Sequence, residues 1–315
     1  NGKAEFNLHV GSILRAQYLF NPNNTGLQQI TQGGIGIYSP DTATTSSPPF
    51  SLPAEGVSAS LQLDTLDIDQ WHRFLNSLSH DTSASQSTSA INDYLPQRID
   101  AQVNTLKALN RTWEKVNAII THTKNDKNSA WQAQVDAPQI NGTARWIEAN
   151  ASTPAGAIEA RFRQLHIPNA TPPQTSETSA NVNASTSMTQ QLDNLPALNL
   201  VIDDLQVKGT RFSNVELNGQ QHTEKDESQW VLNKLHLQHA AATLDASGNL
   251  SVPKDNSGHI KKPLTAVNFS LAIADGGDLL EALGLPKTLA KTNGKFEGQL
   301  QWHSHPFDLD YDSLN

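Results

Sequence analysis

Two closely spaced histidine pairs are the residues of this sequence best suited to holding a metal ion. His303 and His305 are two positions apart, so on a β-strand both imidazoles would lie on one face. His236 and His239 are three positions apart and would lie on opposite faces. Neither pair has a third ligand at a spacing typical of a metal site. We therefore interpret these histidines as solvated surface residues and predict no bound metal.

Acid-rich positions offer a second possible chemistry, because two carboxylates that meet in space can perform glycosidase-type catalysis. Asp203 and Asp204 are adjacent, and Asp308, Asp310 and Asp312 alternate near the end of the sequence. Both groups fall where we expect solvent-exposed strand faces or strand ends, and exposure is the usual state of an aspartate. Asp308 and Asp310 lie close to His303 and His305 in the sequence without completing a recognisable site. We interpret all of these acids as solvated charge.

Motifs for nucleophilic catalysis or phosphate binding are absent. The chain has no cysteine, which removes thiol nucleophiles, zinc–thiolate sites and iron–sulfur clusters. It also has no Walker loop, no G-x-S-x-G and no H-E-x-x-H. Gly276–Gly277 would expose backbone N–H groups to an anion at a helix start, but a tight turn from strand to helix is the simpler interpretation. We predict a protein that is not an enzyme and has no cofactor.

The composition describes a polar, weakly charged chain. Of its 315 residues 37% are hydrophobic and 17% charged, against about 45–50% and 25% in ordinary globular domains. The net charge of -9 comes without a basic cluster, which argues against nucleic-acid binding. No apolar run reaches the roughly 18 residues of a membrane-spanning helix. The sequence does not begin with Met, and we expect a piece of a longer protein whose membrane anchor lies elsewhere.

The elements that would position any functional residue are strands with strict alternation of apolar and polar side chains. Alternation places apolar residues on one face and polar residues on the other, as in antiparallel sheets with one solvated side. The clearest runs cover 242–252 and 267–273. Their apolar positions should share one surface. Its candidate functional residues are Leu244, Ala246, Leu250, Val267, Phe269, Leu271 and Ile273.

The same alternation predicts further strands and leaves room for two short helices. Strands are predicted near 4–10, 57–63, 99–103, 130–135, 140–146, 157–165, 198–202, 212–217, 230–237, 296–302 and 307–311. Helices are predicted near 69–78 and 276–283, each directly after a strand and each with an aspartate at its start. Four tryptophans lie at strand positions: Trp131, Trp146, Trp230 and Trp302. They could face lipid or anchor the core where sheet meets helix, and we interpret each as a core anchor.

Loop-like tracts divide the chain into two modules. Residues 39–49, 79–90 and 168–193 are rich in Ser, Thr and Pro and poor in apolar side chains, so they cannot offset their own ordering entropy. We predict a β-module over 1–168, a flexible linker or insertion over 169–194 and a second β-module over 195–315. Pairing Ile99 with Leu200 and Trp131 with Trp230 indicates an internal repeat of about 100 residues.

An ordered series of phrases resembles one protein family. The phrases are LPALNLVIDDLQVKGTRFSNVELNGQ, QWVLNKLHLQHAAATLDASGNL, NFSLAIADGGDLLEALG and NGKFEGQLQW, preceded by GVSASLQLDTLDIDQWHRFLNSL. Together they are similar to the YhdP branch of the AsmA-like proteins and cover about two thirds of the chain. One departure is Asn249, where the family often has Trp after the glycine of this strand. The resemblance rests on the order of the phrases rather than on any single one.

This resemblance implies an elongated, twisted, mostly antiparallel sheet that forms an open hydrophobic groove. Members of the family are anchored in the inner membrane of diderm bacteria and extend through the periplasm. They are thought to let phospholipids slide toward the outer membrane. For this chain the resemblance implies a section of such a bridge, with phospholipid acyl chains as the partner of the apolar surface and further groove modules outside the sequence.

The alternation alone also fits a different class of protein. In a surface adhesin or structural β-sandwich, the same apolar faces would close on each other and form a core. A secreted carbohydrate-active enzyme is a third, weaker reading. The first two are distinguished by whether the apolar faces are paired or left open.

Overall fold

The protein is mainly β, as the alternation predicts. The computed structural model describes residues 4–22, 28–40, 52–70, 94–125, 128–150, 153–169, 195–224, 227–252, 263–289 and 292–303. Its strands are β1 (Ala4–Val10), β2 (Leu14–Pro22), β3 (Gln28–Tyr38), β4 (Gly56–Asp67), β5 (Arg98–Ala108), β6 (Arg111–Lys124), β7 (Ser129–Asp136), β8 (Ile140–Ile147), β9 (Ala157–Ile167), β10 (Ala197–Val207), β11 (Thr210–Glu224), β12 (Glu227–His239), β13 (Ala242–Ser251), β14 (Leu264–Ile273) and β15 (Gly294–Trp302).

The strands form a mixed sheet in which strand order follows chain order from β1 to β15. Most neighbouring strands are antiparallel, which confirms the predicted fold class. Parallel pairing occurs between β3 and β4, between β4 and β5, and between β9 and β10. Each of these parallel steps requires a longer connection than a hairpin.

The chain divides into two compact units. Unit 1 contains residues 1–125, 129–143 and 168–174, with β1 to β7 and the first part of β8. Unit 2 contains residues 126–128, 144–167 and 175–315, with the rest of β8 and β9 to β15. The predicted linker over 169–194 falls almost entirely outside the described residues and stays a prediction.

Both predicted helices begin where the sequence places them. Helix α1 (Gly276–Ala282) is capped by Asp275, whose carboxylate accepts hydrogen bonds from the N–H groups of Gly277 and Asp278. The N–H of Gly276 donates to Thr292 O at 2.7 Å, so these amides already have partners within the protein. This arrangement fits a tight turn rather than an anion site. Residues 68–70 are also helical, and 71–78 lie outside the described part of the chain.

Other predictions fall on residues that the structure does not describe. They are the loop over 79–90, most of the loops over 39–49 and 168–193, and the closing strand over 307–311.

Three observed strands were not among those predicted. β2 carries a regular alternation and could have been predicted from it. In β3, glycine occupies positions on the apolar side of the sheet. Gly33, for example, lies opposite Tyr18 and Val57. The alternation of apolar and polar residues is therefore not visible in the sequence of β3. In β6 the pattern is interrupted at Lys115, which has a left-handed backbone with φ of 50°.

A break in the pleat crosses three neighbouring strands in each unit. In unit 1 the pairing of β5 with β6 skips Asn104 and Lys115, and in unit 2 the pairing of β10 with β11 skips Asp203 and Asn214. Asn214 has a φ of 54°, close to that of Lys115. The register is the same before and after each break, so neither strand of the pair has an extra residue.

Because of the break, two apolar residues three positions apart lie on the same face of the sheet. In β6, Trp113 and Val116 are both buried, at 9% and 5% exposure. Strict alternation would have placed them on opposite faces. Two consecutive polar residues in the sequence mark the break, as at Asp203–Asp204.

Strand pairing repeats at an interval of 99 positions. Ala59 pairs with Ile99, and Ile158 pairs with Leu198, each 99 residues further along the chain. Trp131 and Trp230 correspond in the same way, as predicted. Ile99 therefore corresponds to Leu198 rather than to Leu200, and that predicted match was wrong by two residues because the weak sequence similarity did not fix the register.

The left-handed residue in β11 gives a first prediction. Asn214 is exposed, so replacing it changes little packing. We expect Asn214→Val to lower the free energy of unfolding by about 1–2 kcal/mol, since a β-branched side chain is disfavoured at this φ. Asn214→Gly should leave it unchanged or higher. Urea unfolding of both variants measures the difference, and a valine variant as stable as the glycine variant would contradict the assigned backbone.

Candidate functional site

The seven predicted residues share one face of the sheet. The register of β13 with β14 places Leu244 opposite Leu271 and Ala246 opposite Phe269. Directly paired residues in an antiparallel ladder project to the same side. The remaining predicted positions follow from the alternation of the two strands. The structure thus brings together all of the residues that the sequence proposed for this surface.

The same face extends over seven strands of unit 2 and is mostly apolar, with Gln221, His239 and Thr265 as polar positions on it. It is followed through the registers of β9 to β15. We call this surface the apolar face of unit 2. On β9 to β11 it comprises Ile158, Ala160, Phe162, Leu198, Leu200, Ile202, Val215, Leu217 and Gly219. On β12, β13 and β15 it adds to the predicted set Trp230, Leu232, Leu235, Leu237, Ala242, Gly248, Phe296, Gly298, Leu300 and Trp302.

An irregularity in β12 preserves this face. Leu232 pairs with Gly248, and Leu235 pairs with Ala246, with a register shift between them. The extra residue of the shift is polar, within Asn233–Lys234. Sequence alternation alone missed this part of the surface because the apolar positions change from even to odd numbers there. The sequence feature that could have indicated the shift is the pair of consecutive polar residues, Asn233 and Lys234, between Leu232 and Leu235.

The opposite face carries the charge. Lys234 pairs with Glu216 at 2.5 Å, and His236 pairs with Asp245 at 2.7 Å. The Lys234 ammonium group lowers the pKa of the Glu216 carboxyl, mainly by donating a hydrogen bond to it. The sheet therefore separates a charged, internally paired face from an apolar one. We call the charged surface the polar face.

Side chains of the apolar face are mostly half-buried rather than buried. Leu244, Phe269 and Leu271 are in this state, and Phe296 is 60% exposed. A closed sandwich predicts fully buried inner faces and a second sheet. All described strands instead belong to one sheet. An apolar surface this continuous and this exposed is typical of a binding surface.

One end of the apolar face of unit 2 is packed more tightly. Leu250 and Val252 are buried at 4% and 5% exposure, with Trp230 packed against them. The indole N–H of Trp230 donates to Pro196 O at 3.0 Å. A Cβ on Gly219 would lie 2.2 Å from the Trp230 ring, so glycine is required beneath it. Trp230 is thus a core anchor, as predicted.

Helix α1 lies at the opposite strand ends. The Thr210 hydroxyl at the start of β11 donates to Ala282 O at 3.1 Å. Leu283, just after the helix, is 67% exposed, and Leu285 is 52% exposed. The helix follows β14 in the chain and is hydrogen-bonded to the beginning of β11. The residues after it add apolar side chains beside the apolar face of unit 2.

Unit 1 has an apolar face built in the same way. Ile99 lies opposite Ala59 and Ile120, and Leu8 lies opposite Ala16. At one strand end the His122 ring stacks on Trp131, with ring centres 4.4 Å apart. We call this surface the apolar face of unit 1.

The residues considered for metal or acid–base chemistry are not assembled into a site. His236 lies on the polar face and His239 on the apolar side, as their spacing predicts. Within the described ranges no group of three His, Asp or Glu side chains has the geometry to hold a metal ion. His305 and the acids at 308–312 lie outside those ranges. Asp204 forms an ion pair with Arg211 at 2.7 Å, and its Oδ2 lies 3.1 Å from Nε2 of His166.

A comparison with protein-family models gives one match that covers the whole chain. The model is described as YhdP protein, and it matches residues 1–315. No curated protein matches the chain. In the part of the chain that the structure describes, none of the helices is long and apolar enough to cross a membrane.

The contacts of Asp204 give a prediction that does not depend on function. The Arg211 guanidinium, and secondarily His166, lower the pKa of the Asp204 carboxyl. Because the folded pKa lies below the unfolded value of about 3.9, the stabilisation is present above pH 4 and is lost as the pH falls through the folded pKa. Asp204→Asn should therefore lower the free energy of unfolding at pH 7. At strongly acidic pH, where Asp204 is protonated in both states, the substitution should change the free energy of unfolding much less.

Urea midpoints at the two pH values measure this effect. Asp203→Asn is the matched control, since Asp203 is exposed and forms no ion pair among the described residues. An equal loss for Asp204→Asn at both pH values would show that charge is not the cause.

Proposed function

We propose that this chain, which belongs to the YhdP family of AsmA-like lipid-transport proteins, carries phospholipid along the apolar faces of its sheet. It would act as one section of a bridge between the inner and outer membranes of a diderm bacterium. The chain would work in the periplasm and be joined to an inner-membrane anchor and further modules. The family's association with the cell envelope supports this location.

The observation that carries the proposal is the apolar face of unit 2. Seven neighbouring strands contribute side chains to it, and the charges of the same strands lie on the other face. An apolar sheet face requires a cover. Acyl chains are a suitable cover, since each CH₂ group removed from water contributes about 0.8 kcal/mol.

The mechanism we propose is passive. Neighbouring strands present similar aliphatic side chains, so successive positions should bind an acyl chain about equally well. A lipid can then move between them without leaving the face. Such a surface gives no direction, which must come from elsewhere. No catalytic residue is part of this proposal.

Phe269 provides the sharpest test. It lies mid-strand on the apolar face, with its ring centre 5.4 Å from that of Phe296 and its ring over Gly298. Phe269→Asp would put a carboxylate among aliphatic side chains, which is costly for an ion. We expect a folded protein that has lost most of its lipid load. Circular dichroism and mass spectrometry of co-purified lipids measure the two properties.

Asn268→Asp is the matched control, because the neighbouring residue is exposed and projects to the polar face. It should keep both fold and lipid. If Phe269→Asp stays folded with its lipid load intact, the apolar face of unit 2 is not the conduit. If it unfolds, the face is a closed core and the sandwich interpretation gains support.

A further inference from the structure

We propose that Arg111 binds the phosphate group of a phospholipid at one end of the apolar face of unit 1. This inference rests on the proposed function, because it assumes that acyl chains lie on that face. It adds a headgroup contact to a surface that otherwise recognises only hydrocarbon.

The register of β6 with β5 sets the direction of the Arg111 side chain. Arg111 pairs with Ala108, and Trp113 pairs with Leu106, in an uninterrupted stretch of ladder. Residues two apart on a regular strand share a face, so Arg111 projects to the same side as the buried Trp113. Arg111 is thus a cation at the margin of an apolar surface.

Its guanidinium has no acidic partner among the described residues. Nε donates to Pro168 O at 2.9 Å, and Nη1 donates to Leu109 O at 3.2 Å. Arg98 and Arg211, in contrast, each form an ion pair with an aspartate. A half-buried charge without a counter-ion is unfavourable. An anion arriving at Arg111 would offset this cost.

The loop beside Arg111 is held in place independently. The Asp69 carboxylate accepts hydrogen bonds from the N–H groups of Leu109 and Asn110, both at 2.9 Å. These two residues have left-handed φ values of 57° and 55°. The Asp69 oxygens are therefore already engaged with the backbone, and the turn fixes the start of β6. A side chain with two anchored nitrogens loses little further freedom on binding.

The remaining donor of Arg111 can reach a phosphate oxygen. Nη2 has no hydrogen-bond partner among the described residues, and a hydrogen bond from a guanidinium to a phosphate oxygen is short and charge-assisted. A phospholipid whose acyl chains lie on an apolar face places its phosphate at the margin of that face. Leu109, beside Arg111, is 74% exposed and would contact the upper part of the chains.

The repeat provides an internal comparison. The position 99 residues after Arg111 is Thr210, whose hydroxyl is bonded to Ala282 O. The second copy thus has a neutral side chain engaged with helix α1. We therefore assign the phosphate contact to Arg111 and not to the equivalent position of unit 2.

The test loads the 315-residue chain from vesicles that contain equal amounts of phosphatidylglycerol and diacylglycerol with the same acyl chains. The ratio of the two bound lipids is read by mass spectrometry. For Arg111→Gln we expect the ratio of phospholipid to diacylglycerol to fall roughly tenfold, as for the loss of a hydrogen bond to a charged group. Arg211→Gln removes the same charge from the polar face and should leave the ratio unchanged.

The outcomes separate this inference from the proposed function. If the parent chain loads neither lipid, the proposed function fails. If it loads both and Arg111→Gln leaves the ratio unchanged, only the inference fails. An equal loss of both lipids would mean that Arg111 is a structural tie to Pro168, which also overturns it. Excess inorganic phosphate that lowers the parent's ratio to that of Arg111→Gln would support a phosphate site open to free phosphate as well.

Discussion

The separation of charged and apolar side chains onto the two faces of a single sheet is the constraint on which the rest of this structure depends. A one-residue slip of a strand would exchange its two faces and turn its polar side chains toward the hydrocarbon side. The strands nevertheless contain pleat breaks and several register shifts. At each of them the extra or left-handed residue is polar, so the apolar side chains before and after it remain together. The irregular positions thus preserve the segregation instead of interrupting it.

This segregation explains how much of the fold could be predicted from the sequence. Strands with regular alternation, such as β13 and β14, are evident from their residue types. β6 is not, because Lys115 adopts a left-handed backbone and shifts the apolar positions by one. In β3 glycine replaces apolar residues under aromatic rings such as that of Tyr18, so the pattern is absent even though the face is continuous. Parallel pairing is a property of connections between distant segments and leaves no signal in short-range periodicity.

The residues of the candidate surface could also be predicted only in part from the sequence. Residues on β13 and β14 were predicted because both strands alternate strictly and lie close in the sequence. The contribution of Leu235 and Leu237 depends on the shift in β12, which only the register reveals. Arg111 has no feature in the sequence that distinguishes it from the other arginines. Its position beside an apolar face, and its lack of an acidic partner among the described residues, emerge only when the ladder and the ion pairs are known.

Strand order that follows chain order has a consequence for how this protein reaches its native state. A hairpin such as β13–β14 needs only residues already present in the nascent chain, so most of the sheet can form progressively from one terminus. The parallel steps differ, because each needs a longer segment to emerge first. These segments run from Tyr38 to Gly56 before β4, from Asp67 to Arg98 before β5, and from Ile167 to Ala197 before β10. Closing such loops is slower than forming a hairpin. At these stages the edge strand of the partly built sheet stays unpaired longest, and the apolar face beside it stays incomplete.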